Sequence, residues 1–181
     1  MVDLRERIEE ERGLHKKIQL AVPGYRGYRL EEDARASDLE LRKQLGKKIE
    51  SDVVAILQGT QAALLADGEF MSAGEVKEAV DPVKRVQIAV TRLQTGGFSF
   101  GVMNNFYMTP DRINALYDYD WSMIETVVHL KEIAQNLSDD AAAGDLSQLK
   151  SYLKEIRKEV QLFEKTSRDR MDTIQGKKVV E

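Results

Sequence analysis

Leu149, Leu153, Ile156, Val160 and Phe163 are spaced alternately four and three residues apart, without a break. An α-helix turns once every 3.6 residues, so this alternation gathers the apolar side chains into one stripe. A single stripe on a long polar helix is stable in water only when other helices cover it. Related seams recur along the chain. Leu41, Leu45, Ile49, Val53, Ile56, Thr60 and Leu64 form one, and Val76, Val80, Val83, Val86, Val90 and Leu93 form another. Ile113, Leu116, Tyr117, Ile124, Val127, Leu130, Ala134 and Leu137 form a third. No stretch alternates with period two, so the expectation is all-α: an elongated antiparallel helical bundle with coiled-coil-like seams and about five main helices.

Punctuation residues place the breaks. Residues 3–22 read as a charged amphipathic helix with a narrow stripe of Leu4, Ile8, Leu14, Ile18 and Val22, stopped by Pro23-Gly24. A second helix is expected from near Leu30 to Ala66, spanning about 55 Å at 1.5 Å per residue. Gly46 and Gly59 inside it mark kinks or close helix contacts, and Asp67-Gly68 ends it. Ser72-Ala73-Gly74-Glu75 has capping-box spacing. At Asp81-Pro82 either the helix kinks or, the preferred reading, one helix ends and another starts with Asp81 as N-cap and Pro82 at the first helical position. Thr109-Pro110 starts the next helix, residues 138–145 read as a linker, and a last helix is expected from about Leu146 to Ile174. The seams describe one domain over residues 1–175, with a frayed tail at 176–181.

The chain has 181 residues, enough for one core, and a formal charge of −4. That mild negative balance argues against a dedicated nucleic-acid binder. The absence of cysteine removes disulfides, thiolate nucleophiles and zinc–thiolate sites. The charged start, Met1-Val2-Asp3-Leu4-Arg5-Glu6, lacks the apolar core of a signal peptide, and no run matches a membrane span. The expectation is a cytoplasmic protein.

The irregular chemistry is concentrated in two turns. Pro23-Gly24-Tyr25-Arg26-Gly27-Tyr28-Arg29 packs two tyrosines and two arginines into a chain reversal, and Gly96-Gly97-Phe98-Ser99-Phe100-Gly101 has a similar makeup. Aromatic rings beside arginines stack bases or hold a peptide, so Tyr25, Arg26, Tyr28, Arg29, Phe98 and Phe100 are the candidate partner-binding residues. The plainer alternative is that the rings seal the end of the core and the glycines turn the chain. Neither turn is a phosphate cradle, because no Gly-Lys-Ser/Thr follows a strand.

An acidic row, Asp111, Asp118, Glu125, Glu132 and Asp139, repeats every seven residues, and the last helix is rich in Lys150, Lys154, Arg157, Lys158, Lys165, Arg168 and Arg170. The favoured reading is a solvated face with loose interhelical pairs, and the alternative is a cation or basic-partner site. His15 and His129 each follow a glutamate by four residues, which is not the Glu-x-x-His spacing of a di-metal bundle, so no metal site and no cofactor are expected. No nucleophile elbow or convergent acid pair suggests catalysis, and Asp118 and Asp120 diverge on a helix. Trp121 reads either as core or as an interface anchor.

The Pro-Gly-Tyr-x-Gly-Tyr turn at 23–28, the Gly-Phe-Ser-Phe-Gly turn at 97–101 and Leu116-Tyr117-Asp118-Tyr119-Asp120 resemble motifs of a set of uncharacterised prokaryotic helical proteins. Those have a Tyr-Gly-Tyr-like second turn, from which the second turn here departs. The resemblance implies the helical architecture and no activity.

The functional expectation is a non-enzymatic cytoplasmic interaction or scaffold protein, binding a protein partner through the aromatic turns or outer helix faces, with homo-oligomerisation through exposed heptads open. Two alternatives stand beside it. One is RNA or ribonucleoprotein binding through Arg26, Arg29 and the basic last helix. The other is a membrane-surface helix at the N-terminus, against which Glu6, Glu9, Glu10 and Glu11 count.

Overall fold

A computed structural model describes residues 4–28, 31–92 and 109–175. The described chain is helical throughout, with no strand among the described residues. The elements are α1 (Leu4–Ala21), α2 (Glu31–Lys48), a π-helical segment (Ile49–Val54), α3 (Ala55–Ala66), α4 (Phe70–Arg92), α5 (Pro110–Ala142) and α6 (Leu149–Ile174). Lys48 and Ala55, which flank the π segment, both have α-helical dihedrals. Residues 31–66 are therefore one unbroken rod, which brings the count to the five main helices the seams require.

Three cross-links show the register. Asp38 of α2 and Asp120 of α5 share Arg170 of α6. Lys131 of α5 reaches Asp52 of the π segment at 3.3 Å, and Arg157 of α6 reaches Glu78 of α4 at 3.5 Å. The α2–α3 rod thus runs alongside α5 in the same direction, and α4 alongside α6, the two pairs being antiparallel. The turns after α3 and after α5 consequently close one end of the bundle. The α1–α2 turn lies at the other end. The core is continuous between them and built from the predicted seams: Leu41, Leu45, Ile49, Val53 and Leu64 are buried, as are Val76, Val80, Val83, Val86 and Val90. Leu149, Leu153, Ile156, Val160 and Phe163 are buried as well.

The local expectations need four corrections. First, Ile56 is only half-buried, while Val54 and Leu57 are buried. The π segment holds more residues per turn than an α-helix, which moves this one seam position from 56 to 57, while Thr60 and Leu64 stay buried as expected. Second, α4 runs unbroken through Pro82. A proline costs a backbone bond, but the valines before and after it share one buried face, so packing carries the helix through. Third, α4 starts at Phe70, ahead of the supposed cap at Ser72, and its first helical bond runs from the Ala73 N–H to the Glu69 carbonyl at 2.9 Å. Fourth, α5 extends to Ala142, so the linker shrinks to 143–148 and α6 begins at Leu149.

Thr109 caps α5 as its sequence implies, its hydroxyl accepting from the Arg112 N–H at 3.4 Å. Gly46 is a close helix contact: a Cβ there would lie 2.9 Å from Thr91 Oγ1. Gly59 faces open space.

Candidate functional site

The Pro23–Tyr28 turn points its tyrosines inward. Tyr25 is 3% exposed and Tyr28 fully buried, whereas Arg26 stands in solvent with a loose pair to Asp33 at 3.7 Å. This corrects the expectation that both rings face a partner, and for this turn the core-sealing alternative holds. Arg29, Phe98 and Phe100, with the rest of the second aromatic turn, lie outside the described residues.

Local geometry explains the inward turn. Ser37 of α2 accepts from the Arg26 and Gly27 N–H groups at 2.8 and 2.7 Å and donates to the Gly27 carbonyl at 3.2 Å. These bonds pin the turn onto α2. Gly27 has φ of +95°, and a Cβ there would lie 2.7 Å from the Tyr117 hydroxyl and 3.0 Å from His15 Nε2. Only glycine meets both demands. His15 of α1 then packs against Tyr25 and Tyr117 at centroid distances of 5.8 and 5.2 Å, and Tyr25 meets Tyr28 edge to face at 5.9 Å. Trp121 is half-buried, with the Lys17 ammonium 5.8 Å above its ring.

Behind the rings lies a dry charge cluster. The hydroxyls of Tyr25 and Tyr28 both donate to Asp120 Oδ2 at 2.6 Å. Arg170 donates through Nε to Asp120 Oδ1 and through Nη1 to Asp38 Oδ1, both at 2.6 Å, and through Nη2 to the Tyr28 hydroxyl. Arg42 Nε completes the set on Asp38 at 3.0 Å, and its Nη2 meets Met171 Sδ at 3.1 Å. Two carboxylates face two guanidinium groups, so the cluster is neutral, and the α1–α2 turn, α2, α5 and α6 all contribute to it.

Charge-assisted bonds of this kind are short and strong where water is excluded. Burial and the Asp120 carboxylate push the Tyr25 hydroxyl far above its ordinary range, and Tyr28 moves the same way, chiefly through burial. Burial alone would raise Asp38, but Arg170 and Arg42 hold it below the usual carboxylate value. Burial likewise opposes the charge on Arg170, and Asp120, Tyr28 and Asp38 together outweigh it.

Asp120 and Arg170 went unread as site residues, although the signal was in the seams. Asp120 falls between Tyr117 and Ile124 on the core face of α5. Arg170 follows Phe163 by seven residues on the core face of α6, and Asp38 precedes Leu45 by seven on α2. A charge at a core heptad position demands a partner. The acidic row Asp111, Asp118, Glu125, Glu132 and Asp139 is exposed, and no ion pair among the described residues joins it to α6. Arg170 is buried in the cluster and so is not part of the exposed basic face of α6. No group of acids and histidines suited to a metal occurs among the described residues. Among them, no helix is long and apolar enough to cross a membrane.

The open chemistry lies on the side of the bundle. A groove of about 490 Å³ runs between α4 and α6, floored by Val86, Ala89, Val90, Phe163 and Met171. Arg85 and Arg168 stand exposed on its walls, with Glu164 the one acid there, and neither arginine joins an ion pair among the described residues. Met171 connects floor and interior, since its sulfur touches Arg42. No protein-family model, curated protein or solved structure matches the chain.

Proposed function

We propose that this protein is a non-enzymatic helical scaffold that binds a protein segment in the α4–α6 groove. The observation that carries the reading is an apolar floor walled by two exposed arginines outside any ion pair among the described residues. A groove of this size is in the range that holds a few large side chains. Its occupant would be an amphipathic segment with an apolar face and flanking carboxylates, the helix-in-groove mode of recognition.

The buried cluster supports the non-catalytic half of the proposal. Its charges neutralise one another, Asp120 is fully buried, and a substrate reaching it would have to separate α2, α5 and α6. It acts as a tie that fixes α6, one wall of the groove, to α2 and α5. The same proposal assigns the chain to the cytoplasm, where a protein without cysteine forgoes no disulfide.

A fluorescent helical peptide with a Leu/Phe stripe and flanking glutamates tests the groove. It should bind wild type and lose roughly tenfold or more in affinity on Arg85→Glu with Arg168→Glu, with helicity and melting unchanged. Equal binding to the variant, or no binding to wild type, removes the groove from the proposal.

A further inference from the structure

The α3–α4 corner sets exposed apolar side chains next to one another. Phe70 is 70% and Met71 84% exposed, and Leu65 is 44% exposed beside them. They sit on a tight turn in which Gly68 has φ of +84°, with Asp67 and Glu69 exposed on either side of that glycine. Two large apolar side chains side by side in water mark a contact surface rather than a scattered surface residue. The corner combines what the groove lacks: protruding apolar groups flanked by carboxylates. The groove offers a recess and guanidinium groups.

We infer that the occupant of the α4–α6 groove is the α3–α4 corner of a second copy of this chain. Phe70 and Met71 enter over Val86, Ala89 and Phe163, and Asp67 and Glu69 meet Arg85 and Arg168. This rests on the groove reading above and names its partner. The contact is between copies for a geometric reason. Corner and groove belong to the same helix: Phe70 and Val86 are separated by sixteen residues of unbroken α4, about 25 Å at 1.5 Å per residue. A rigid helix cannot bring its first turn back to its own last turns, so a chain's own corner does not reach its own groove. Different surfaces then meet, which makes the contact heterologous, and each added copy presents a fresh corner or groove.

Light scattering and sedimentation over a wide concentration range test this on the full chain. Wild type should grow in mass with concentration, less so at high salt as the ion pairs are screened. Phe70→Ser with Met71→Ser should be monomeric with unchanged helicity, and so should Arg85→Glu with Arg168→Glu. Mixing these two monomeric variants should give a one-to-one dimer and nothing larger, because one intact corner meets one intact groove. Restored growth when Asp67→Arg and Glu69→Arg are added to the groove variant would fix the charge pairing. A wild type that stays monomeric throughout overturns the inference, as does a mixture of the two variants that stays monomeric or grows past the dimer. If the acidic peptide still binds wild type then, the groove reading survives and only its occupant is wrong. If the peptide fails too, both fall.

Discussion

At one end of the bundle Asp38, Arg42, Asp120 and Arg170 meet in the dry interior; at the other Leu64, Val76, Leu137, Leu149 and Leu153 fill the equivalent space with no charge. Both ends exclude water, but they tolerate error differently. An apolar layer gives up its stability in increments of area and cavity, and neighbours relax into part of the gap. A buried ionic cluster depends on completeness, since each charge is tolerable only while its partners remain. The charged end is also directional. Asp120 accepts from three donors on two parts of the chain, so it dictates where the α1–α2 turn and α6 must sit relative to α5. Leucines at the far end impose no such geometry.

The largest expected effect breaks the polar end. Arg170→Met leaves Asp38 with Arg42 alone and Asp120 with two tyrosines, and should cost about 3–5 kcal/mol. Leu153→Ala at the apolar end should cost about 3 kcal/mol. Urea unfolding of the two variants measures both. If Arg170→Met costs less than 1 kcal/mol, the cluster is no tie and the contrast between the ends collapses.

The two ends should also part company with pH. Asp38 titrates below its ordinary 3.8 in the fold, so its contribution is full above that value and drains away as pH falls below it. Tyr25 and Tyr28 titrate above their ordinary 10.0, so their contribution is full below pH 10 and is lost as pH climbs beyond it. Amide protection near residues 37–42 and 117–120 should therefore fail before that near 149–156 at either extreme. Loss in the opposite order would reverse the comparison. The smallest effect belongs to the surface: Arg157→Ala removes the exposed pair with Glu78 and should change stability by less than about 1 kcal/mol.

Much of this was legible in the chain. The seams from Val76 to Val90 and from Leu149 to Phe163 are buried as their spacing requires, because helical period alone decides which residues share a face. The second seam failed at Ile56, since a π turn shifts phase without leaving a mark in composition. Pro82 misled for a related reason: local propensity argues for a break, and the burial of valines on both sides overrides it. The candidate site was half legible. Tyr25 and Tyr28 were singled out as a surface, and they are buried. Their direction depends on Ser37, which holds Arg26 and Gly27 from eleven and ten residues away, and on Asp120, more than ninety residues away.

The sequence by itself determined that long helices form, where Gly and Pro interrupt or mark them, and which stripes need cover. Asp38, Asp120 and Arg170 also stand at core heptad positions in the sequence alone. Only the tertiary structure decided that these three charges lie at the same level of the bundle, since register between distant helices is set by packing and turn geometry rather than by any local pattern. The same register separates the exposed corner at Phe70 from the groove at Val86, along one helix too stiff to join them.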